Sequence, residues 1–116
     1  MGLDQHLHKR RRGGYVEEVM VLRKNYVVDD WFSKYVGEDI ENCKTYSGIS
    51  INDLCDLLMY LTDIVKSKTI DIESRWGYHK ISYENEEYKI TYAIKELAEV
   101  IYDHEKGNTY EYFIWY

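Results

Sequence analysis

The chain has no proline and only two cysteines, Cys43 and Cys55, in 116 residues. Nothing therefore stiffens its loops, and no disulfide framework is expected. Neither cysteine belongs to a C-x-x-C pair, and both read as reduced thiols. Cys55 lies between Leu54 and Leu57, where a small buried residue is expected. No apolar run approaches the roughly 20 residues of a membrane span, so no membrane association is expected. The opening residues lack the apolar stretch of a signal peptide, and the expected location is intracellular. Also missing are a G-x-S-x-G turn, a phosphate-cradling glycine loop and a Ser-His-Asp spacing. Neither enzymatic activity nor a cofactor is expected.

What is there suits one folded domain. Hydrophobic residues make up 45% and charged residues 31%, which excludes a disordered acidic tail. Thirteen tyrosines stand out. Tyrosine joins apolar area to a polar tip, and serves equally to roof a small core or to meet a partner. The formal charge of -6 is unevenly spread. Lys9, Arg10, Arg11 and Arg12 against Asp4 give residues 1–12 a local +3, leaving -9 for the rest. A body that acidic repels phosphate backbones and suits a basic partner.

Periodicity predicts an α+β fold: about three helices packed on a short, mainly antiparallel sheet with a C-terminal strand. Residues 1–14 read as a basic N-terminal arm ending at Gly13-Gly14, and residues 15–116 as the single domain. Tyr15–Val21 reads as a strand. A helix opens at Arg23-Lys24, carries Leu22, Tyr26, Val27, Trp31 and Tyr35 inward, and is capped by Gly37. A short strand follows within Glu38–Gly48. Ser50 and Asp53 form an approximate capping box for a helix burying Leu54, Leu57, Leu58, Leu61 and Val65. Residues 67–82 are ambiguous, with Thr69–Glu73 alternating and Trp76-Gly77-Tyr78 resembling a turn. A third helix covers Asn85–Glu105, with Tyr88, Thr91, Tyr92, Ile94, Leu97, Ala98 and Ile101 inward. Thr109–Tyr116 alternates as the last strand. Exposed at an edge, it would pair two copies into a homodimer or add to a partner's sheet.

Three groups carry candidate chemistry. His6-Leu7-His8 places two imidazoles on one face of an extended chain, but a metal site needs a third ligand and the sequence marks none. His79 and His104 stand alone, and no metal is expected. Lys9, Arg10, Arg11 and Arg12 form a phosphate-contacting arm in a nucleic-acid-binding alternative. The acidic body disfavours direct nucleic-acid binding, and the arm can equally pair with the protein's own acids. Carboxylates cluster at Glu38, Asp39 and Glu41 and at Glu84, Glu86 and Glu87. They keep a small domain soluble, or imitate phosphates in a basic channel.

The opening Met-Gly-Leu-Asp-Gln-His-Leu-His-Lys resembles a family of small uncharacterised phage and prophage proteins that begin with a Met-Gly-Leu-Asp-x-x-Leu-like stretch. The likeness continues at Leu22-Arg23-Lys24, at Val27, Val28, Trp31 and Phe32, and at Glu41-Asn42-Cys43-x-x-Tyr46 with Ser50. Gly77-Tyr78, the acidic Tyr83–Tyr88 stretch and the aromatic Tyr110–Trp115 stretch complete it. Between Lys66 and Trp76 this chain is shorter than that family. The resemblance transfers no catalytic residues. It implies mobile-element company, in which small acidic proteins often inhibit host nucleases, and hence the cytoplasm of a bacterial host. The resulting expectation is a non-enzymatic, anti-CRISPR type inhibitor of a host defence protein, a Cas9-like effector first. Its contacts would be Glu38, Asp39, Glu41, Glu84, Glu86 and Glu87, with Tyr46, Tyr83 and Tyr88 as anchors.

Overall fold

The computed structural model describes residues 2–72 and 81–116. The chain runs β1 (Asp4–Arg10), β2 (Val16–Arg23), α1 (Tyr26–Val36), β3 (Tyr46–Ile49), α2 (Ile51–Ser67), α3 (Tyr83–Tyr102) and β4 (Thr109–Trp115). The strands form one antiparallel sheet in the order β2-β1-β4-β3. Among the described residues the chain adopts the expected α+β architecture, three helices and an antiparallel sheet with a C-terminal strand. Among the described residues no helix is long and apolar enough to cross a membrane.

The expected basic N-terminal arm is part of the sheet. Asp4–Arg10 is an inner strand, paired with β2 on one side and with β4 on the other. Its alternation escapes a hydrophobicity pattern because the inward positions are Gln5, Leu7 and Lys9, two of them polar. Each polar group is satisfied in place. The Gln5 amide donates to the Asn25 carbonyl (2.9 Å) and the Tyr112 hydroxyl (3.0 Å), while Gln5 Oε1 accepts from the Asn25 N–H (2.8 Å). Lys9 Nζ meets Glu17 at 3.0 Å. Gly13 and Gly14, both at positive φ, turn the chain into β2 rather than freeing an arm.

The C-terminal strand is likewise interior, lying between β1 and β3. Its outer neighbours occupy both of its edges, so it offers none to a second copy. The first and last strands of the chain thus form the middle of the sheet.

Leu7, Met20, Leu22, Tyr110, Tyr112 and Ile114 point to one core with the helices. Within α1 the buried positions are Tyr26, Val27, Val28, Asp29 and Phe32, and Phe32 stacks on Tyr112 at 3.9 Å between ring centroids. The strand before α1 runs on through Arg23, so Leu22 belongs to the sheet. Asn25 is the N-cap, its side chain accepting from the Val28 N–H. Gly37 ends α1 in the left-handed conformation, at φ 89°. The Ser50–Asp53 capping box forms as read. Leu54, Leu57 and Leu61 are buried with Ile64, while Leu58 and Val65 pack partly buried beside them. Cys55, expected inside, is only half-buried.

Helix α3 is rotated from its expected face. Ile90, Ala93, Leu97 and Val100 are buried, whereas Tyr88, Thr91, Tyr92 and Ala98 are exposed. On this helix Ile90, Leu97 and Val100 take the core while Tyr88, Tyr92 and Tyr102 stay exposed, where their hydroxyls need no buried partner. Residues 69–72 form no strand, and Glu73 and the Trp76-Gly77-Tyr78 turn lie outside the described residues.

Candidate functional site

Rotation of α3 creates the most distinctive surface. Tyr88 is 70% exposed and Tyr102 90% exposed. At 3.6 residues per turn, Glu84, Tyr88, Tyr92, Glu99, Tyr102 and Asp103 fall within an arc of about 100° that also holds the exposed Lys95. All six are exposed, the first five on a helix of 20 residues that extends about 30 Å and Asp103 as its C-cap. Tyr92 donates to Glu96 at 3.3 Å, and that carboxylate pushes the phenol pKa up. Beside Tyr88 and Tyr92 a groove of about 550 Å³ opens against Val21 and Arg23 of the outer strand β2.

The expected contact residues divide. Glu84 and Tyr88 lie on this exposed side of α3, Glu87 is exposed about 60° outside the arc, and Tyr83 is half-buried at the start of the helix. Glu86, expected to meet a partner, is instead 4% exposed, turned inward and held by Lys89 at 3.1 Å, and offers no contact to one. Glu38, Asp39 and Glu41 are exposed after the end of α1. There Lys44 Nζ bridges Glu41 (3.0 Å) and Glu38 (3.5 Å), and the half-buried Tyr46 hydroxyl accepts from the Glu41 N–H. Hydrogen bonding to Glu41 raises the Lys44 pKa. The two acidic groups do not come together. Lys89, in the second turn of α3, is tied to the start of α1 through its carbonyl and the Asn25 amide, and Glu38 follows the far end of α1. The 11 residues of α1 extend about 16 Å.

The basic quartet is largely occupied internally. Lys9 and Arg11 both meet Glu17, at 3.0 and 2.8 Å, and Arg10 meets Glu111 at 2.9 Å. Lys9, then Arg11, pulls the Glu17 carboxyl below its ordinary pKa, and Glu17 raises Arg11 in return. Arg12 is exposed beside Gly107. A phosphate backbone would have to break three ion pairs to two carboxylates, Glu17 and Glu111.

On the sheet face opposite the core, His6 and His8 gain the neighbour that the sequence did not mark. His6 Nδ1 lies 2.5 Å and His8 Nε2 3.6 Å from the same Glu18 oxygen. Phe113 stacks on His6 at 4.6 Å and meets His8 edge-on at 5.2 Å. Glu18 was hidden from sequence reasoning by a bulge. Leu7 pairs with Met20 but His8 with Glu18, so Val19 is the extra residue.

Helical periodicity counted at 100° per residue, with tyrosine scored as polar, would have found Tyr92, Glu99, Tyr102 and Asp103. No local signal could have found Glu18 or Phe113. Compared with protein-family models, curated proteins and solved structures, the chain matches none of them.

Proposed function

We propose that the protein is a non-enzymatic inhibitor that occupies a basic nucleic-acid groove of a host defence protein, with a Cas9-like effector as its first target. One observation carries this reading: the alignment of Glu84, Tyr88, Tyr92, Glu99, Tyr102 and Asp103 on the solvent side of α3. Carboxylates there offer a lysine- or arginine-lined channel the charge it evolved to meet. Exposed tyrosines add contact area at low entropic cost, the usual anchors of an interface. The internal pairing of Lys9, Arg10 and Arg11 removes the main support for direct nucleic-acid binding.

The test is cleavage of target DNA by purified Cas9 with guide RNA, with and without a molar excess of the protein. Inhibition is expected, weakening as salt rises. Glu84→Lys with Glu87→Lys and Glu99→Lys should relieve it while far-UV circular dichroism stays unchanged. Undiminished inhibition by that variant sinks the role of α3. Unimpeded cleavage by the unaltered protein eliminates Cas9 as target. A pull-down from host lysate that returns only nucleic acid, lost on nuclease treatment, overturns the inhibitor reading altogether.

A further inference from the structure

The geometry points to a divalent transition-metal site on the open face of the sheet, formed by His6, His8 and Glu18. Their ligand atoms all lie within 4.8 Å of one another. Ligands placed tetrahedrally about 2.1 Å from a zinc ion stand roughly 3.4 Å apart. His8 Nε2 and Glu18 Oε1 already stand at 3.6 Å. His6 Nδ1 and Glu18 Oε1, now hydrogen-bonded at 2.5 Å, need to part by about an ångström, within reach of a χ adjustment.

The backbone is built to hold this set. β1 is paired on both sides, so His6 and His8, two residues apart, project from a fixed strand. Without the bulge at Val19, His8 would face Val19, and Glu18 would oppose Lys9 on the core side. The bulge turns Glu18 out to meet His8 and leaves Glu17 to meet Lys9, as observed. Phe113 fixes the ring planes of both imidazoles. Glu111 lies opposite His8 on β4 but is held by Arg10, leaving Glu18 as the ligating carboxylate. Side-chain exposures of 23%, 26% and 46% for His6, His8 and Glu18 leave an ion free access.

Two imidazoles and one carboxylate suit Zn²⁺ and its neighbours rather than Mg²⁺ or Ca²⁺, which prefer all-oxygen shells. Three protein ligands leave a fourth position for water or for a donor group from a partner.

Isothermal titration with ZnCl₂ on the full chain, paired with Co²⁺ visible absorption, tests the site. One equivalent is expected to bind, with a Co²⁺ spectrum free of a thiolate charge-transfer band. Glu18→Gln and His8→Asn should each weaken binding by about tenfold or more. On the unaltered protein, Zn²⁺ should shift the ring NMR signals of His6 and His8 and leave those of His79 and His104 in place. This last measurement stands even where a variant folds poorly. Equal affinity in both variants, a thiolate band from Cys43 or Cys55, or unshifted His6 and His8 signals would each overturn the assignment.

Discussion

Replacing Leu7 with alanine tests whether the N-terminal segment belongs to the core. In a mobile basic arm, the change would alter stability by less than about 0.5 kcal/mol, as at ordinary surface positions. Leu7 is instead completely buried in a strand flanked on both sides. Three carbons leave the interior, worth about 0.8 kcal/mol each in transfer. The cavity left in a strand that cannot collapse adds on the order of 1 kcal/mol, for a total of about 3 kcal/mol. A domain of this size has roughly 5–15 kcal/mol in all. The urea midpoint should therefore fall by a third or so, with the m-value unchanged. The thermal midpoint should fall by about 10 °C or more. Arg12→Ala, at the exposed turn after the strand, serves as the control and should leave both midpoints in place. A Leu7→Ala loss below about 1 kcal/mol would show that β1 does not belong to the cooperative core, and the sheet order would have to be abandoned.

Two further outcomes follow from buried and capping groups. Tyr112→Phe removes the hydroxyl that accepts from Gln5 at 3.0 Å and donates to Asp29 at 3.4 Å, and should cost about 1–2 kcal/mol in urea denaturation. A neutral result would mean that the buried polar cluster contributes nothing through this hydroxyl. Burial pushes the Asp53 carboxyl up, but hydrogen bonds from the Ser50 N–H, the Tyr35 hydroxyl and the Ser50 hydroxyl outweigh it and hold its pKa below the usual value. Its contribution is thus complete above the unfolded pKa of about 3.9 and is lost as pH falls through the lower folded value. Between pH 6 and pH 3 the unaltered protein should lose more stability than Asp53→Asn, and equal losses would contradict the assignment.

Part of the candidate site was legible in the sequence and part was not, for different reasons. An acidic, tyrosine-rich surface follows from composition, and Glu84 and Tyr88 do lie on one. Which side of α3 carries it depended on whether tyrosine or aliphatic side chains take the core. Glu86 went inward because Lys89, one turn on, neutralises it there. Such a choice is made by competition for space, not by any residue alone.

Local chemistry by itself determined helix α2, its Ser50–Asp53 cap, the Gly37 stop and the alternating strand β4. Each depends on residues within about four positions of one another, where turn geometry and capping act directly. Only the tertiary structure decided that β1 is a strand at the centre of the sheet. Gln5 is acceptable inside because Asn25 and Tyr112, 20 and 107 residues away, satisfy its amide. Tertiary pairing also decided that Glu18 faces His8, through a bulge that exists only once β1 and β2 are in register. Side-chain pattern reports which groups seek burial, but a buried polar group is stable only where distant partners meet it.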